Sequence, residues 1–433
     1  MKNSIFLYPV CGVALTAFLQ VTLYPAYPLY AFLVLSLFGL LIVHNFSASS
    51  VKFILFFLSP FLISFSSILI FYVFPDSRFI GSDLNWYGRV VNIVLLFSFF
   101  MLVTNLITKD DDVDGSAKKF QLYLRCYLLG GAVVLLSAIW HALDIHTGLV
   151  VFPFETRSLV HSSAGLLDQV SGRVTGIASE PSYLVPFLID LIAVSLLLYG
   201  ASLRSALFVS LSVFMIILSL SPSGYVSLIS AFSLAGLLYS LKFKISKRVL
   251  FSLIILMGVI GGLFLWASRS GYADYVIYRI ATFNPESSGR AFMYIYPIYW
   301  LMDSSLVNIM FGFGAKSYSI LSYYYSAPSG HYINVTSNNY FVDMAWEAGV
   351  VGFILASIFF VFIFFKIFKS SLPRWHFFVV SFFAFHLLIS SMFRADFASA
   401  RYFFILSIIY LAIYKPDVFL SRRYIGGADE ASR

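Results

Sequence analysis

The chain has 433 residues, 60% hydrophobic and only 11% charged, with a mean hydropathy of +0.89, whereas a soluble domain carries about 25% charged residues. That much apolar surface exceeds what one water-soluble core can hide, so a soluble enzyme or binding module is excluded and a polytopic membrane protein is expected. The net charge of +8 fits basic residues beside acidic lipid better than a nucleic-acid partner.

Apolar runs long enough to cross a bilayer recur along the whole length and give about twelve spans. They lie near 5–22, 27–43, 51–74, 89–107, 122–144, 182–199, 204–220, 223–241, 249–267, 338–365, 376–393 and 400–414. The run from Ile5 to Val21 reads as a first span rather than a cleaved signal, because another span follows at once and no small-residue cleavage site intervenes. Cys11 and Cys126 fall in or beside spans and offer neither a disulfide framework nor metal spacing. Most connections are short. Two are long and too polar to be embedded, 145–181 and 268–337, and within the second, residues 289–313 suggest a short interfacial helix. The expected fold is therefore an all-α membrane protein, one polytopic domain over residues 1–433, with about twelve helices and two large loops.

The basic residues orient it. With the N-terminus in the cytoplasm, 18 of the 28 lysines and arginines fall inside, and both termini are cytoplasmic. The outer ten are Arg78, Arg89, Arg157, Arg173, Arg269, Arg279, Arg290, Lys316, Arg394 and Arg401. Nearly all are arginine, the residue for bidentate contact with phosphate, which points to an outer face that grips an anion. The plainer alternative is that positive-inside sorting removed the lysines and left structural arginines behind.

Three outer stretches carry candidate chemistry. The first is SGRVTGIASEPSYL, from Ser171 to Leu184. Pro181 suits a first helical turn and Ser179 an N-cap, so Arg173 with a helix N-terminus suggests an anion cradle. In the plainer reading Glu180 favours the helix start and Arg173 anchors at the interface or pairs with Glu180 or Asp168. The second is SSGRAFMYIYPIYWL followed by FGFGAKSY. Arg290 heads an aromatic, amphipathic segment, with Arg269 and Arg279 before it and Gly312 and Gly314 permitting a tight turn after it. The third is TSNNYFVDMAWEAGVVGF. Asn338 and Asn339 are candidate caps, and Asp343 and Glu347, four apart on one face, need partners at an apolar helix start. They could meet the outer arginines, as ligand groups or as a structural salt bridge. On the opposite side DDDVDGSAKKFQ partly fits a calcium loop, but Gln121 stands where a bidentate Glu is required, and a solvated loop is the better reading. His141, His146, His161 and His331 show no metal spacing, so neither metal nor cofactor is expected.

In this order the stretches resemble the O-antigen polymerase and O-antigen ligase superfamily of bacterial inner membranes. The residues carrying the resemblance are GRVTGIASEPSYL, SPSG at Ser221 to Gly224, SGRAFMYIYPIYWL with FGFG, and NNYFVDMAWEAGVVG, spread over roughly residues 50–415. The resemblance implies an enzyme joining sugar chains carried on undecaprenyl diphosphate at the periplasmic face, multi-pass in the inner membrane. It implies that Arg173 and Arg290 clamp the lipid diphosphate, that no metal is needed, and that Glu180 is the nearest candidate base. Arg157, Arg269, Arg279, Asn338, Asn339 and Glu347 become candidate substrate contacts. A chain-length regulator and a flippase of the same pathway are candidate partners beside membrane lipid.

One departure separates the branches. The ligase branch is expected to show His-Asn, nine residues, Gly, two residues, Gly. Here Asn338 and Asn339 precede Tyr340 to Ala348, Gly349 and Gly352, so the spacing holds but asparagine replaces the histidine. The expected activity is therefore polymerisation of repeat units for O-antigen, capsule or exopolysaccharide. A ligase moving a finished chain to another acceptor is the first rival. A transporter is the second, although its usual internal repeat and mid-span charges are missing apart from Asp190.

Overall fold

In the computed structural model the described residues are 4–43, 46–73, 86–109, 112–154, 173–243, 290–325 and 336–419, with 258, 262, 269 and 333 described singly. They form fourteen α-helices and, apart from one isolated bridge between Thr22 and Ala178, no β structure. These are α1 (Leu7–Thr16, prolonged by a 3-10 turn to Val21), α2 (Tyr27–Ile42), α3 (Ala48–Val73), α4 (Tyr87–Thr108), α5 (Val113–Thr147), α6 (Pro181–Tyr199) and α7 (Leu203–Leu218). Then follow α8 (Pro222–Lys242), α9 (Arg290–Met302), α10 (Leu306–Phe311), α11 (Tyr318–Tyr324), α12 (Tyr340–Lys369), α13 (Arg374–Phe393) and α14 (Ala400–Tyr414).

Local chemistry sets the ends. Asp112 caps α5 by accepting from the amides of Asp114 and Gly115, at 3.0 and 3.1 Å, so the acidic run holds a helix start. Ser202 and Ser205 form a capping box on α7. Pro181 and Pro222 open α6 and α8, where a missing N–H costs nothing. Because Pro181 is the first helical residue, the N-cap of α6 is Glu180, not Ser179; Ser179 instead gives its amide to the Val21 carbonyl, 2.8 Å away.

Among the described residues, seven helices are long and apolar enough to cross a membrane: α3, α4, α5, α6, α8, α12 and α13. The expected spans at 5–22, 27–43, 204–220 and 400–414 coincide with shorter apolar helices. That at 249–267 lies outside the described residues, apart from helical Gly258 and Gly262. Of the two expected loops, 155–172 and 270–289 likewise lie outside; the second holds α9, α10 and α11.

α14 explains how a short helix serves. Its 15 residues rise only about 22 Å, short of the roughly 30 Å hydrocarbon layer. It is nonetheless buried on every side from Ala400 to Ala412, sheathed by α4, α13, α12, α1 and α3. Its neighbours are other helices rather than lipid, so length matters less than fit. Tyr127 of α5 stacks on Phe404 at 3.7 Å, and Phe57 of α3 packs against Tyr402 and Phe403. α13 lies along α8, and α12 along α3.

Candidate functional site

Three connecting segments converge at one end of the bundle. The segment from Arg173 to Glu180 is strapped across the ends of three elements. Val174 gives its amide to Leu218 at the end of α7 (3.2 Å), Thr175 and Gly176 give theirs to His141 Nδ1 on α5 (3.1 and 3.2 Å), and Ser179 reaches Val21. The segment from Arg394 to Ser399 joins α13 to α14 at the same end. Its Arg394 donates to the Ser182 carbonyl at 3.2 Å and lies 3.5 Å over the Tyr183 ring of α6. Ala398 accepts from Asn92 of α4 at 2.7 Å, and Phe397 packs on Tyr340, Phe61 and the Arg89 guanidinium. The third segment, Phe311 to Ser317, lies against α12.

Arg173 donates through Nε and Nη2 to the carbonyls of Ser219 and Leu220, each at 3.3 Å. These follow the last turn of α7, where a cation is favoured by unpaired carbonyls and the helix dipole. The same turn leads into Ser221-Pro222-Ser223-Gly224 and α8. Gly224 lies so close to α6 that an added Cβ would meet Val185 at 2.6 Å. Glu180 is half-buried at the start of α6 and accepts from Ser182 Oγ at 3.3 Å. Arg173 and Glu180 thus sit on one strapped segment beside the S-P-S-G turn.

α12 is broken at its tenth residue, Gly349. Gly349 has φ 67° and ψ −164° inside an otherwise helical run, a conformation essentially reserved for glycine. Gly312, φ 77° and ψ −173°, faces it. A Cβ on Gly349 would meet the Met310 carbonyl at 2.4 Å, and one on Gly312 the Ala348 amide at 2.4 Å. The break frees two carbonyls, which a membrane helix cannot leave unpaired. Phe313 and Gly314 supply the amides, reaching Trp346 and Glu347 at 2.9 Å each. The FGFG stretch and the two spaced glycines of the third stretch are therefore halves of one backbone contact.

The first half of α12 carries the two carboxylates. Glu347 is buried and paired with Arg89 of α4, and its second oxygen accepts the Lys316 amide at 3.1 Å. Among the described residues Asp343 meets no arginine; it is held by Thr336 and by the amide and hydroxyl of Ser337, at 2.9 and 2.5 Å. Lys316, at φ 65° between α10 and α11, has its ammonium pushed below the ordinary lysine range, first by burial and then by the Arg89 charge, with Glu347 and Asp343 opposing. Asn339 caps α12 by accepting from Phe341 and Val342, at 3.0 and 3.2 Å. Asn338 adopts φ 60° and directs its amide to Met293 Sδ of α9, 3.8 Å away. That contact ties the third stretch to the helix that Arg290 opens.

Asp190 has partners that sequence reasoning did not supply. Arg401 grips it from α14 with Nε at 2.6 Å and Nη2 at 3.1 Å, and Tyr127 donates to it at 2.7 Å. Arg401 also binds Asp396 at 2.9 Å and His386 Nε2 at 2.7 Å, and His386 Nδ1 reaches Ser227 of α8 at 2.9 Å. A mid-span carboxylate announces that a partner exists, but not which one. Arg89, Arg394 and Arg401, all in the arginine-rich outer set, thus have internal work. For these three the plainer reading of the arginine excess holds.

The remaining candidates lie apart or outside. Arg157 and Arg279 fall outside the described residues, Arg269 is helical and exposed, and Arg290 occupies the first position of α9. Among the described residues no three His, Cys, Asp or Glu side chains gather as a metal site.

Residues 207–357 match the family model described as O-Antigen ligase. The match supports the O-antigen ligase/polymerase superfamily and, with the apolar helices, a multi-pass membrane enzyme of the glycosyl-transferring type. It includes Arg269, Arg279, Arg290, Asn338, Asn339 and Glu347, whereas Arg157, Arg173 and Glu180 precede it. The comparison with curated proteins finds no match.

Proposed function

We propose that this chain, within the O-antigen ligase/polymerase superfamily, is a polymerase. It joins undecaprenyl-diphosphate-linked oligosaccharide repeat units into O-antigen, capsule or exopolysaccharide at the periplasmic face of the inner membrane, with both termini cytoplasmic. An acceptor sugar hydroxyl attacks the anomeric carbon of the donor chain. The carbon–oxygen bond to the lipid diphosphate breaks, the hydroxyl proton passes to Glu180, and the departing diphosphate charge is met by Arg173 and Arg290. Preorganised cations suit this step, since they stabilise charge that develops only as the bond breaks. A base within reach of the hydroxyl adds about 10²–10⁴ in rate. Arg157, Arg269 and Arg279 are further proposed contacts for the anionic donor. Asn338 and Asn339 position the acceptor, and Glu347, already held by Arg89, keeps the broken α12 in shape beneath them. A chain-length regulator and a flippase are proposed partners.

Asn338 carries the choice of polymerase over ligase. Where the ligase branch is expected to have histidine, this chain has an amide whose nitrogen faces Met293 Sδ and whose lone pair is delocalised into the carbonyl, so that it cannot serve as a base as an imidazole does. The test uses purified chain with undecaprenyl-diphosphate-linked repeat unit as the only substrate. A ladder of products is expected. Product that forms only after a second, different acceptor is added would make the enzyme a ligase.

A further inference from the structure

The strapped segment from Arg173 to Glu180 rests on two side chains of α5 that stand one helical turn apart. Ser137 Oγ accepts the Ile177 amide at 3.2 Å, while its own proton goes to the Val134 carbonyl at 2.7 Å. His141 Nδ1 accepts two amides, of Thr175 at 3.1 Å and of Gly176 at 3.2 Å. Gly176 permits this close seat: at φ 56° an added Cβ would meet Ser137 Oγ at 2.6 Å and the Ala138 amide at 2.8 Å. The Thr175 hydroxyl, also 3.1 Å from Nδ1, has the Gly176 carbonyl as an acceptor for its proton at 3.1 Å. Phe152 stacks on the imidazole at 4.5 Å and 15°, which fixes the ring plane.

A backbone amide can only donate. Two of them at Nδ1 therefore assign the ring: Nδ1 offers its lone pair, the proton sits on Nε2, and His141 is neutral. Thr175 and Gly176 are buried, and among the described residues Nδ1 is the acceptor their amides have. A proton on Nδ1 would turn it into a donor facing both N–H groups. Two buried amides would then lack an acceptor, a penalty that release of the segment to water removes. Histidine is the side chain whose ordinary titration falls nearest neutral pH. Ser137 and the carbonyls of Leu218 and Val21, which hold the rest of the segment, do not titrate. The charge acting on the ring is that of Asp144, on its own helix, whose Oδ2 takes the Phe152 amide at 3.0 Å. On the segment itself Arg173 donates to the carbonyls of Ser219 and Leu220, and Glu180 accepts from Ser182. Tyr183, at the start of α6, lies under Arg394. Residues 17–22, 148–154 and 215–220 add no ionisable side chain.

We propose that His141 is a proton-sensitive latch, a positioning residue whose neutral Nδ1 seats the segment carrying Arg173 and Glu180 and whose protonation releases it. Release is a local opening of the segment's middle, because Val174 stays tied to Leu218 and Ser179 to Val21. The latch follows from the hydrogen bonds alone. That its release disarms catalysis rests on the polymerase reading, in which Arg173 meets the departing diphosphate and Glu180 takes the acceptor proton.

The test is hydrogen exchange of the purified full chain in detergent, read on peptides covering Arg173 to Glu180 at pH 8 and pH 4.5 and corrected for the intrinsic pH dependence of amide exchange. In the wild type the amides of Thr175 and Gly176 should lose about tenfold or more of their protection at pH 4.5. His141→Asn puts a non-titrating acceptor oxygen near the place of Nδ1, so its protection should be equal at both pH values. His141→Leu has no acceptor and should show the released segment at both. Equal wild-type protection at the two pH values overturns the proposal, as does a His141→Asn variant as acid-sensitive as the wild type or a His141→Leu variant as protected as the wild type at pH 8. If His141→Leu does not fold, the wild type and His141→Asn decide alone. Turnover of undecaprenyl-diphosphate-linked repeat unit at pH 8 then tests the purpose of the latch. His141→Leu should lower saturating turnover about a hundredfold by misplacing Arg173 and Glu180, and His141→Asn should restore it. A released segment with wild-type turnover would remove Arg173 and Glu180 from the mechanism and leave the latch standing.

Discussion

Replacing Gly349 by alanine should open the contact that holds the broken α12 together. The native φ of 67° and ψ of −164° cost an L-residue about 1–3 kcal/mol in strain. The new Cβ would also stand 2.4 Å from the Met310 carbonyl and 2.5 Å from the Phe311 amide. Those are backbone atoms, so the whole Phe311 to Gly314 turn must retreat. Its two amide bonds to Trp346 and Glu347 are then lost, at about 1 kcal/mol each. The sum is about 3–5 kcal/mol. Gly148→Ala is the control, since Gly148 has φ 62° but nothing within 4 Å of an added Cβ, and it should cost only about 1–2 kcal/mol. Gly312→Ala should match Gly349→Ala, and the double variant should cost less than the two together because both break one contact. The assay is unfolding of detergent-solubilised protein followed by size-exclusion fluorescence. A Gly349→Ala variant no less stable than Gly148→Ala would refute the contact.

Arg89→Ala should destabilise by about 3–5 kcal/mol, because it strands the buried Glu347 carboxylate; adding Glu347→Gln should recover much of that loss in the same assay, and strictly additive losses would refute the coupling. Glu180→Gln should lower saturating turnover by about 10²–10⁴ if Glu180 takes the acceptor proton; unchanged turnover with weakened apparent affinity would leave it a structural residue at the start of α6. Reporter fusions at Asp112 and Gly148, the two ends of α5, should report opposite sides of the membrane, with Asp112 cytoplasmic; the same side at both would remove α5 from the spans.

Helix positions were legible because they rest on local facts. Runs of apolar residues, Pro181 and Pro222 at helix starts, Asn339 as a cap and Gly312 and Gly314 as turn formers depend on neighbours a few residues away. One end of the bundle was likewise legible in outline: stretches singled out one by one as loop chemistry are drawn together where α5, α6, α7, α8 and α12 start or stop. One local reading failed: the Ser179 cap overlooked that a proline at the first helical position hands the cap to the residue just before it.

What the sequence by itself determined was therefore a helical membrane chain, the positions of most of its described helices, the presence of a mid-span charge at Asp190 and the need for partners at Asp343 and Glu347. Only the tertiary structure decided which partners those were. Arg401 lies 211 residues from Asp190, and Arg89 lies 258 from Glu347. The physical reason is that a buried charge demands a countercharge but not a particular one. Which arginine answers depends on which helices become neighbours. The same holds for Gly349. Its spacing from Gly352 was visible in the chain, but its purpose depends on Gly312 arriving from another segment to fill the space that two missing side chains leave.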